Sequence, residues 1–453
     1  MYSCSFECSY DLPGIAAALP DRYPFLLDSA AIGPLSEYSL LLRTSDEQLC
    51  IQSDGQITGP GDSGGFLTRL NNWYQKEKTS SSESGEWPFN GGWFLYLGYE
   101  LAAEIEPVVN FPASQDGFPV AFANRCPAAI YSREDQPDVL HLVAENEALL
   151  VEMRKELDRL QPEAEQRCTQ LTGLRVDQPL SFKKAIEQIH EYILDGDVFQ
   201  VNLSRGWNGE FDERPDTGAL YRSLRKNNPA PFAGKVCWND FVLMSSSPER
   251  LVKLSDGEVQ SRPIAGTRPR GSNHDADQAL SRELLAHPKE RAEHIMLIDL
   301  ERNDLGRVCQ PGTVVVDELM VVESYEHVHH IVSNVRGRLR SGMTPVDVIR
   351  AVFPGGTITG CPKVRCMEII AELEGKPRSF YTGSFGYMGL DGSMDLNILI
   401  RSMLIHDKHV SFRTGAGIVS DSDPDCEVAE TEDKARGLLL ALGPVKRVIE
   451  GTI

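Results

Sequence analysis

Two pairs of glutamates have the spacing that a metal site could use. Glu290 and Glu293 lie three residues apart, and Glu427 and Glu430 repeat that spacing near the C-terminus. Residues three apart share one face of a helix. Two such faces opposite each other would form an oxygen-rich cage that suits Mg²⁺, which also takes water and substrate oxygens. On spacing alone, two solvated helix faces with local ion pairs are the more common outcome.

A glycine-rich segment, "FPGGTITGCPKVR" (353–365), could bind an anion. Its glycines let main-chain N–H groups approach a ligand, and Lys363 and Arg365 add positive charge. Such loops are more often only loops. Four further distinctive segments flank it, and these are "SRPIAGTRPRG" (261–271), "KERAEHIMLIDLERNDLGRV" (289–308), "YTGSFGYMGLDGSMDLNILIR" (381–401) and "RTGAGIVSDSDPDCEVAETEDKAR" (413–436).

The composition is that of a large, acidic, folded chain. It has 453 residues, of which 41% are hydrophobic, and this length favours two or three domains. The net charge of −21 argues against nucleic acid or an anionic membrane as the main partner, but not against a small anionic ligand. The ten cysteines show neither a CxxC pair nor a zinc spacing. With no leader-like or membrane-spanning apolar run, we expect a cytoplasmic protein.

Hydrophobic periodicity predicts the elements that position these residues. Residues 91–106 are predicted to be a buried strand that runs into a helix. Further helices are predicted over 145–168, 181–196 (with Ser181 as N-cap), 276–308, 344–352, 361–374 and 426–442. Strands are predicted in hairpins over 1–72 and then over 198–207, 241–247, 381–390, 395–405 and 409–419. Residues 75–86 are predicted to be a loop and 173–180 a connector. Strands and helices alternate without a strict βαβ rhythm, which favours an α+β fold.

Taken together and in this order, the quoted segments resemble the chorismate-utilising enzyme family. The resemblance is densest over 180–445. It implies an α+β fold, a two-lobed sandwich of large antiparallel sheets with outer helices and a site in the cleft. It also implies an N-terminal lobe over 1–170 and a chorismate-binding catalytic domain over 180–450.

The resemblance assigns roles to the acidic residues. Glu293 and Glu430 would bind Mg²⁺ directly, and Glu290 and Glu427 would act through water. The metal would hold the ring carboxylate of chorismate. Glu249, in "SSSPERL", corresponds to the general acid that protonates the departing C4 hydroxyl, so its pKa must be raised. An ordinary strand-end ion pair with Arg250 is the alternative.

The remaining site residues are also carried over from the family motifs. His330 would lie beside the reacting hydroxyl, and Gln200, Ala265 and Thr267 would complete the catalytic set. The substrate-binding residues would be Thr357, Tyr387, Arg401, Gly415, Ala416, Gly417 and Lys434.

Two positions separate the reactions of the family. Members that add water to chorismate carry a lysine base at the position of Gln200, and a glutamine cannot deprotonate water. Many members that aminate C4 carry a lysine at the position of Ala265, whereas anthranilate synthases carry alanine. The segments "QVNLS", "FPGGTITG", "YTGSFGY" and "MDLNILIR" nevertheless resemble the aminodeoxychorismate branch.

We therefore predict amination of chorismate at C4 with ammonia, in p-aminobenzoate and folate synthesis. One alternative is amination at C2 with loss of pyruvate, as in anthranilate synthase. Another is a non-catalytic protein on the same fold that binds tryptophan or a partner.

Partner expectations follow from the same resemblance. The sequence contains no Gly-x-Cys-x-Gly motif for a glutaminase nucleophile. Glutamine-dependent activity would need a separate glutamine amidotransferase subunit, component II. The N-terminal sheet of the family can hold tryptophan, and Leu27, Asp28 and Ser29 lie in the matching segment, so we name them as a candidate tryptophan pocket.

Overall fold

The structure is a computed structural model that describes residues 1–31, 33, 38–61, 63–79, 87–114, 116–160, 169–271, 273–324, 328–444 and 447–449. The side chains of Thr267, Pro269, Lys289, Val328, Val448 and Ile449 lie outside this description. The same holds for residues 80–86 of the predicted loop and 161–168 of the predicted helix.

Two large sheets form the framework of the described chain. The 13-stranded sheet contains β1 (Tyr2–Glu7), β2 (Phe25–Asp28), β3 (Tyr38–Arg43), β8 (Ala128–Arg133), β9 (Gln136–Ala144), β10 (Leu171–Val176), β11 (Gln200–Phe211), β12 (Phe232–Trp238), β13 (Phe241–Ser247), β19 (Gly360–Cys361), β22 (Ser402–His406), β23 (His409–Ile418) and β24 (Arg447–Ile449). The 11-stranded sheet contains β4 (Gln48–Ile51), β5 (Ile57–Thr58), β6 (Gly92–Leu97), β7 (Ala121–Cys126), β14 (Arg250–Ser255), β15 (Glu258–Ser261), β16 (Ile264–Pro269), β17 (Val315–Ser324), β18 (Val328–Arg338), β20 (Ser384–Gly389) and β21 (Met394–Asn397).

Strand order shows how the two halves of the chain interleave. The larger sheet runs β1-β9-β8-β3-β2-β12-β13-β22-β23-β11-β10-β24, with β19 also paired to β11. The smaller runs β16-β18-β15-β14-β21-β20-β6-β7-β4-β5, with β17 also paired to β18. Neighbours are antiparallel except β10 and β24. The pairs β2–β12 and β6–β20 join the first 170 residues to the later ones in both sheets.

Helices cover the sheets, and most begin at a side-chain cap or a proline. They are α1 (Leu12–Ala18), α2 (Phe66–Glu77), α3 (Glu147–Asp158), α4 (Pro179–Leu194), α5 (Thr217–Asn227), α6 (His274–Ala286), α7 (Pro288–Gly306), α8 (Pro345–Val352), α9 (Lys363–Glu374) and α10 (Pro424–Leu442). Thr344 forms a capping box with Asp347 at the start of α8, which fixes the chain just before the glycine-rich segment. Short 3₁₀ helices cover Tyr99–Glu104 and Gly356–Ile358.

Aromatic side chains pack between the two sheets. Phe25 of the larger sheet stacks on Phe94 of the smaller with 4.0 Å between ring centroids. Phe122 and Trp238 stack across the same interface at 3.9 Å. The predicted α+β sandwich of two large antiparallel sheets with outer helices is therefore confirmed. Among the described residues, no helix has both the length and the apolar character that a membrane span requires.

Three predictions of secondary structure within residues 1–196 were wrong. Residues 12–18 form α1 and residues 66–77 form α2, where hairpins were predicted up to residue 72 and a loop from residue 75. In α2, Phe66, Leu70 and Trp73 fall on one buried face. Residues 171–176 form strand β10, not part of a connector. Helix α4 begins at Pro179, so Ser181 lies inside its first turn and is not the cap.

Two further predicted elements are each divided in the structure. The helix predicted over 276–308 breaks at His287, because Pro288 begins a new helix. The strand predicted over 395–405 consists of β21 and β22, which belong to different sheets. The chain therefore crosses between sheets over 398–401, and Arg401 there has a φ of 52°.

A buried ion cluster fixes the end of α9 against β11. Glu374 accepts from Arg378 at 2.7 Å and from Arg413 at 2.9 Å, and its side chain is only 1% exposed. It also accepts from the Ser204 N–H at 2.9 Å. Arg378 in turn donates to the carbonyls of Asn202 and Ile358. Burial favours the protonated acid, but the two arginines hold the pKa of Glu374 below its usual value.

We expect Glu374→Gln to destabilise the protein by about 3–5 kcal/mol, because it leaves two buried guanidinium groups without their shared anion. The measurement is the free energy of unfolding in urea. The matched control is Glu368→Gln on the same helix, where a surface ion pair with Arg365 is lost at a cost of about 1 kcal/mol or less. Equal losses in the two variants would contradict the expectation.

Candidate active site

Glu249 is a buried acid at the point where the chain passes from β13 to β14. Glu249 is 7% exposed. Burial raises the pKa of Glu249 to about 7, and the Thr357 hydroxyl, Lys434 and Arg401 oppose this rise. The Thr357 Oγ1 is itself buried and has no hydrogen bond of normal geometry with a described residue. A carboxyl that keeps its proton near neutral pH can act as a general acid.

The alternative role for Glu249, an ion pair with its neighbour Arg250, is not what the structure shows. Arg250 instead forms a two-pronged ion pair with Asp395, at 2.8 Å and 2.9 Å. The proton of Glu249 is therefore not displaced by the adjacent guanidinium.

Arg401 lies where the chain crosses from β21 of the smaller sheet to β22 of the larger sheet. Its left-handed φ turns the chain from β21 into β22. Its carbonyl accepts from the Ser246 N–H at 3.1 Å. Burial lowers the pKa of Arg401, and the charge of Glu249 opposes that change. The guanidinium and the Glu249 carboxyl thus belong to one site.

His330 faces the same site from β18 of the smaller sheet. Burial lowers the pKa of His330 to about 4, with further lowering by the charges of Arg401 and His329. The imidazole is therefore neutral near pH 7. On the neighbouring β16, Ala265 is buried, opposite Ile331. Thr267 pairs with His330 through its backbone, and its side chain lies outside the described residues.

Gln200, Glu293 and Gly417 meet at the start of β11. The Gln200 Nε2 donates to Glu293 Oε1 at 3.4 Å. The Gln200 Oε1 is buried and has no hydrogen-bond partner among the described residues. A Cβ at Gly417 would lie 2.2 Å from Gln200 Nε2, so only glycine leaves room for this amide. The result is a buried hydrogen-bond acceptor beside a carboxylate.

Lys434, Glu430 and Gly415 form the other end of the same segment. The Lys434 Nζ donates to the Gly415 carbonyl at 2.9 Å and pairs with Glu430 at 2.7 Å. Pairing of β23 with β22 ends at Phe412. Beyond Phe412, residues Gly415 to Gly417 pair with β11 on one edge, and no described strand pairs with their other edge. Main-chain groups on the other edge are therefore free of the ladder and can contact a ligand.

Two of the four predicted metal carboxylates, Glu293 on α7 and Glu430 on α10, lie near this segment. Glu293 reaches it through Gln200, and Glu430 through Lys434. On α7, Glu290 lies 3.4 Å from Arg268. On α10, Glu427 is 8% exposed. Within the described part of the chain, no three acidic, histidine or cysteine side chains converge as a metal cluster. Mg²⁺ takes one or two protein carboxylates and otherwise water and substrate oxygens, so Glu293 and Glu430 are of the ligand type that it prefers.

The structure corrects the assignment of Tyr387. Its side chain lines a separate cavity of about 140 Å³ together with Leu27, Asp28 and Ser29. The three residues that were predicted to bind tryptophan therefore line one pocket, and Tyr387 lines the same pocket.

Tyr381 is the tyrosine that sequence reasoning missed. A Cβ on Gly415 would lie 2.6 Å from the Tyr381 hydroxyl oxygen, which places this hydroxyl at the Gly415–Gly417 segment. Tyrosines six apart in a continuous strand would share a face. Here Thr382 has a φ of 62° and β20 begins only at Ser384, so Tyr381 and Tyr387 point to different places.

Comparison with known proteins identifies the family. The model of the chorismate binding enzyme family matches residues 38–440, and the chain belongs to this family. An anthranilate synthase component I-like protein of Synechocystis sp. is 45% identical over 358 residues, which are 78% of this chain and 73% of that protein. The aminodeoxychorismate synthase component 1 of Bacillus subtilis is 49% identical over 261 residues, 58% of this chain and 55% of that protein.

A solved structure supports the same fold. The crystal structure of anthranilate synthase component I from Streptococcus pneumoniae matches with a TM-score of 0.78 and 30% identity, covering 89% of this chain and 92% of that one. The chain is thus similar both to proteins named anthranilate synthase and to a protein named aminodeoxychorismate synthase.

The raised pKa of Glu249 predicts a pH-dependent cost to stability. The folded-state pKa lies above the ordinary value of 4.5, so the cost is absent below that pH and complete above about 7. Glu249→Gln removes the ionisation. Relative to the unchanged protein, the variant should gain about 2 kcal/mol on going from about pH 5 to about pH 8.

The measurement is urea unfolding of both proteins at the two pH values. Glu187→Gln, on the exposed side of α4, serves as control and should show the same difference from the unchanged protein at both pH values. A pH-independent difference for Glu249→Gln would show that its carboxyl has an ordinary pKa.

Proposed function

We propose that this chain is a component I that aminates chorismate at C4 with ammonia, forming 4-amino-4-deoxychorismate. The observation that carries the chemistry on chorismate is the buried Glu249, whose pKa is raised to about 7 although Arg401 and Lys434 oppose the rise. The segments "QVNLS" and "MDLNILIR" favour C4 over C2. Chorismate has two carboxylates to bind and a hydroxyl that leaves only when protonated. A buried acid between two cations supplies both requirements.

In this mechanism, separate residues bind the carboxylates, donate the proton and orient the hydroxyl. Arg401 and the open edge of β23 bind one carboxylate, and the Tyr381 hydroxyl adds a donor at Gly415. Lys434 lies by the ring carboxylate. Glu249 gives its proton to the C4 oxygen, which departs as water. The neutral His330 orients the hydroxyl by hydrogen bonding.

Magnesium is the proposed cofactor. When bound by Glu293 and Glu430, with Glu290 and Glu427 acting through water, it would polarise the ring carboxylate. Lys434 now pairs with Glu430, so it would turn toward the substrate once that glutamate binds metal.

Ammonia is proposed to attack from the side of Gln200. An amide accepts hydrogen bonds from ammonia but removes no proton from water, which favours amination over hydration. We propose that a glutamine amidotransferase, component II, supplies this ammonia, because similar proteins carry the name component I. A cytoplasmic location accords with this partnership.

The second candidate is amination at C2 with loss of pyruvate, as in anthranilate synthase. The buried methyl group of Ala265 favours it, since no lysine is present there to form a covalent intermediate. With alanine at this position, C4 amination would require direct attack by ammonia.

The cavity that contains Leu27, Asp28, Ser29 and Tyr387 is proposed to bind tryptophan. Its wall combines aromatic rings with the ion pair of Arg250 and Asp395, which suits an amino acid with an aromatic side chain. A non-catalytic tryptophan-binding protein would use this cavity alone. Retention of tryptophan without chorismate turnover would support that third candidate.

Product analysis tests the proposal. The protein is incubated with chorismate, Mg²⁺ and ammonium at alkaline pH, with and without an aminodeoxychorismate lyase. We expect p-aminobenzoate only with the lyase, and no turnover after chelation of Mg²⁺ or in Glu249→Gln. Anthranilate without the lyase would overturn C4 amination and establish the second candidate.

The two tyrosines provide a matched pair of variants. Tyr381→Phe should raise the KM for chorismate about tenfold, because it loses a hydrogen bond to a charged group worth about 1.5 kcal/mol. Tyr387→Phe should leave that KM unchanged, because this residue lines the other cavity. Steady-state kinetics with ammonium measure both values. The reverse pattern would return Tyr387 to the substrate site.

A further inference from the structure

Asn202 carries a second buried amide on the face of β11 that also carries Gln200. Side chains alternate along a strand, so residues 200 and 202 share a face. Asn202 is 8% exposed and Gln200 is 3% exposed. The Asn202 Oδ1 and the Gln200 Oε1 are both buried, and neither has a hydrogen-bond partner among the described residues. Because buried acceptors in folded proteins are normally paired, this face has room for a ligand that donates hydrogen bonds.

The two amides are neighbours on either side of Gly417. In the ladder between β11 and β23, Gly417 lies directly opposite Asn202. Side chains in such opposite positions have their Cβ atoms about 4.5–5.5 Å apart. A Cβ on Gly417 would lie 2.2 Å from the Gln200 Nε2 and 3.2 Å from the Gln200 Cδ. The Gln200 amide therefore occupies the place that a side chain of residue 417 would take, next to Asn202.

Hydrogen bonds hold both residues in place. The Gln200 Nε2 donates to the Glu293 Oε1 at 3.4 Å, so the Gln200 carbonyl oxygen is turned away from that carboxylate. The Asn202 N–H donates to the Thr359 carbonyl at 2.9 Å, and the Asn202 carbonyl accepts from Arg378 at 2.7 Å. The backbone of Asn202 is thus fixed on both sides, and its side-chain oxygen is left for a ligand.

We propose that the amides of Asn202 and Gln200 together bind ammonia, with each oxygen accepting one N–H. Ammonia has three N–H donors and one lone pair, so two acceptors can hold it while the lone pair faces the substrate. The inference deepens the proposed function and rests on it, because it takes ammonia as the nucleophile. It assigns Asn202 to the binding of ammonia and not of chorismate. A neutral amide is not a base, so Asn202 takes no part in proton transfer.

Asn202→Leu tests the inference, because leucine has a similar size but no hydrogen-bond acceptor, and the backbone hydrogen bonds of residue 202 are kept. At saturating chorismate and constant pH, the KM for ammonium should rise about fivefold, which is the effect of losing one hydrogen bond of ordinary strength. The KM for chorismate should stay unchanged. Formation of the aminated product is measured in both series of assays.

The matched control is Asn208→Leu, the same substitution at an exposed position of β11, which should leave both KM values unchanged. Equal rises of both KM values in Asn202→Leu would indicate a structural role. A rise for chorismate alone would place Asn202 at the substrate, and an unchanged KM for ammonium would mean that water satisfies the two oxygens. Each of these outcomes overturns the inference.

Unfolding in urea gives a readout that does not require turnover. A ligand that binds the folded state raises the free energy of unfolding. At alkaline pH, ammonium chloride should stabilise the unchanged protein and Asn208→Leu more than potassium chloride does at the same concentration, because potassium has no N–H donors. This difference between the salts should be smaller in Asn202→Leu.

The two readouts separate failure of the inference from failure of the proposed function. If the unchanged protein forms anthranilate or does not turn over chorismate, the proposed function falls, and a difference between the salts that depends on Asn202 still supports the ammonia site. Equal effects of the two salts on the unchanged protein refute the site. A difference of the same size in Asn202→Leu refutes it as well.

Discussion

The site depends on two chain crossings between the sheets that lie side by side. The first, from β13 to β14, contains Glu249, and the second, from β21 to β22, contains Arg401. Because β13 pairs with β22 and β14 with β21, the two crossings are adjacent. Hydrogen bonds from Ile398 N–H to the Glu249 carbonyl and from Ser246 N–H to the Arg401 carbonyl tie them together. Sheet pairing thus sets the separation of acid and cation.

Two buried glutamates lie near these crossings, and they differ in the number of cations that pair with them. Glu374 has two arginines, so it stays ionised and fixes α9 and the turn at Ile358. Glu249 forms no ion pair with its neighbour Arg250, which is held by Asp395, and Arg401 and Lys434 offset only part of the effect of burial on its pKa. A buried carboxylate that is paired with cations stays ionised and holds its partners in place, whereas a buried carboxyl without such a pair retains its proton more readily. The fold therefore supports a reactive acid on a frame that is electrostatically satisfied.

Much of this arrangement could be predicted from the sequence, and the failures have physical causes. Strand 241–247 was predicted with its observed bounds, because its apolar residues 241–244 directly follow the turn residues Asn239 and Asp240. The crossing at Arg401 was missed because the apolar residues at 398–400 extend the pattern of β21 into β22. Tyr387 was chosen over Tyr381 because a motif does not reveal the left-handed turn at Thr382. Periodicity reports burial, but it does not report which of two stacked sheets a residue joins.

The position of Ala265 limits what this protein can do by itself. It lies on β16, next to the strand that carries His330, and its methyl group offers no nucleophile. In the proposed amination, ammonia would therefore attack the ring directly, without a covalent intermediate at this residue. Gln200 is the buried acceptor available to orient it, beside Glu293. The carbon that is attacked then depends on how the ring is held between Arg401 and the α7 and α10 carboxylates. In the proposed reaction, regiochemistry would thus follow from substrate orientation and not from covalent capture at residue 265.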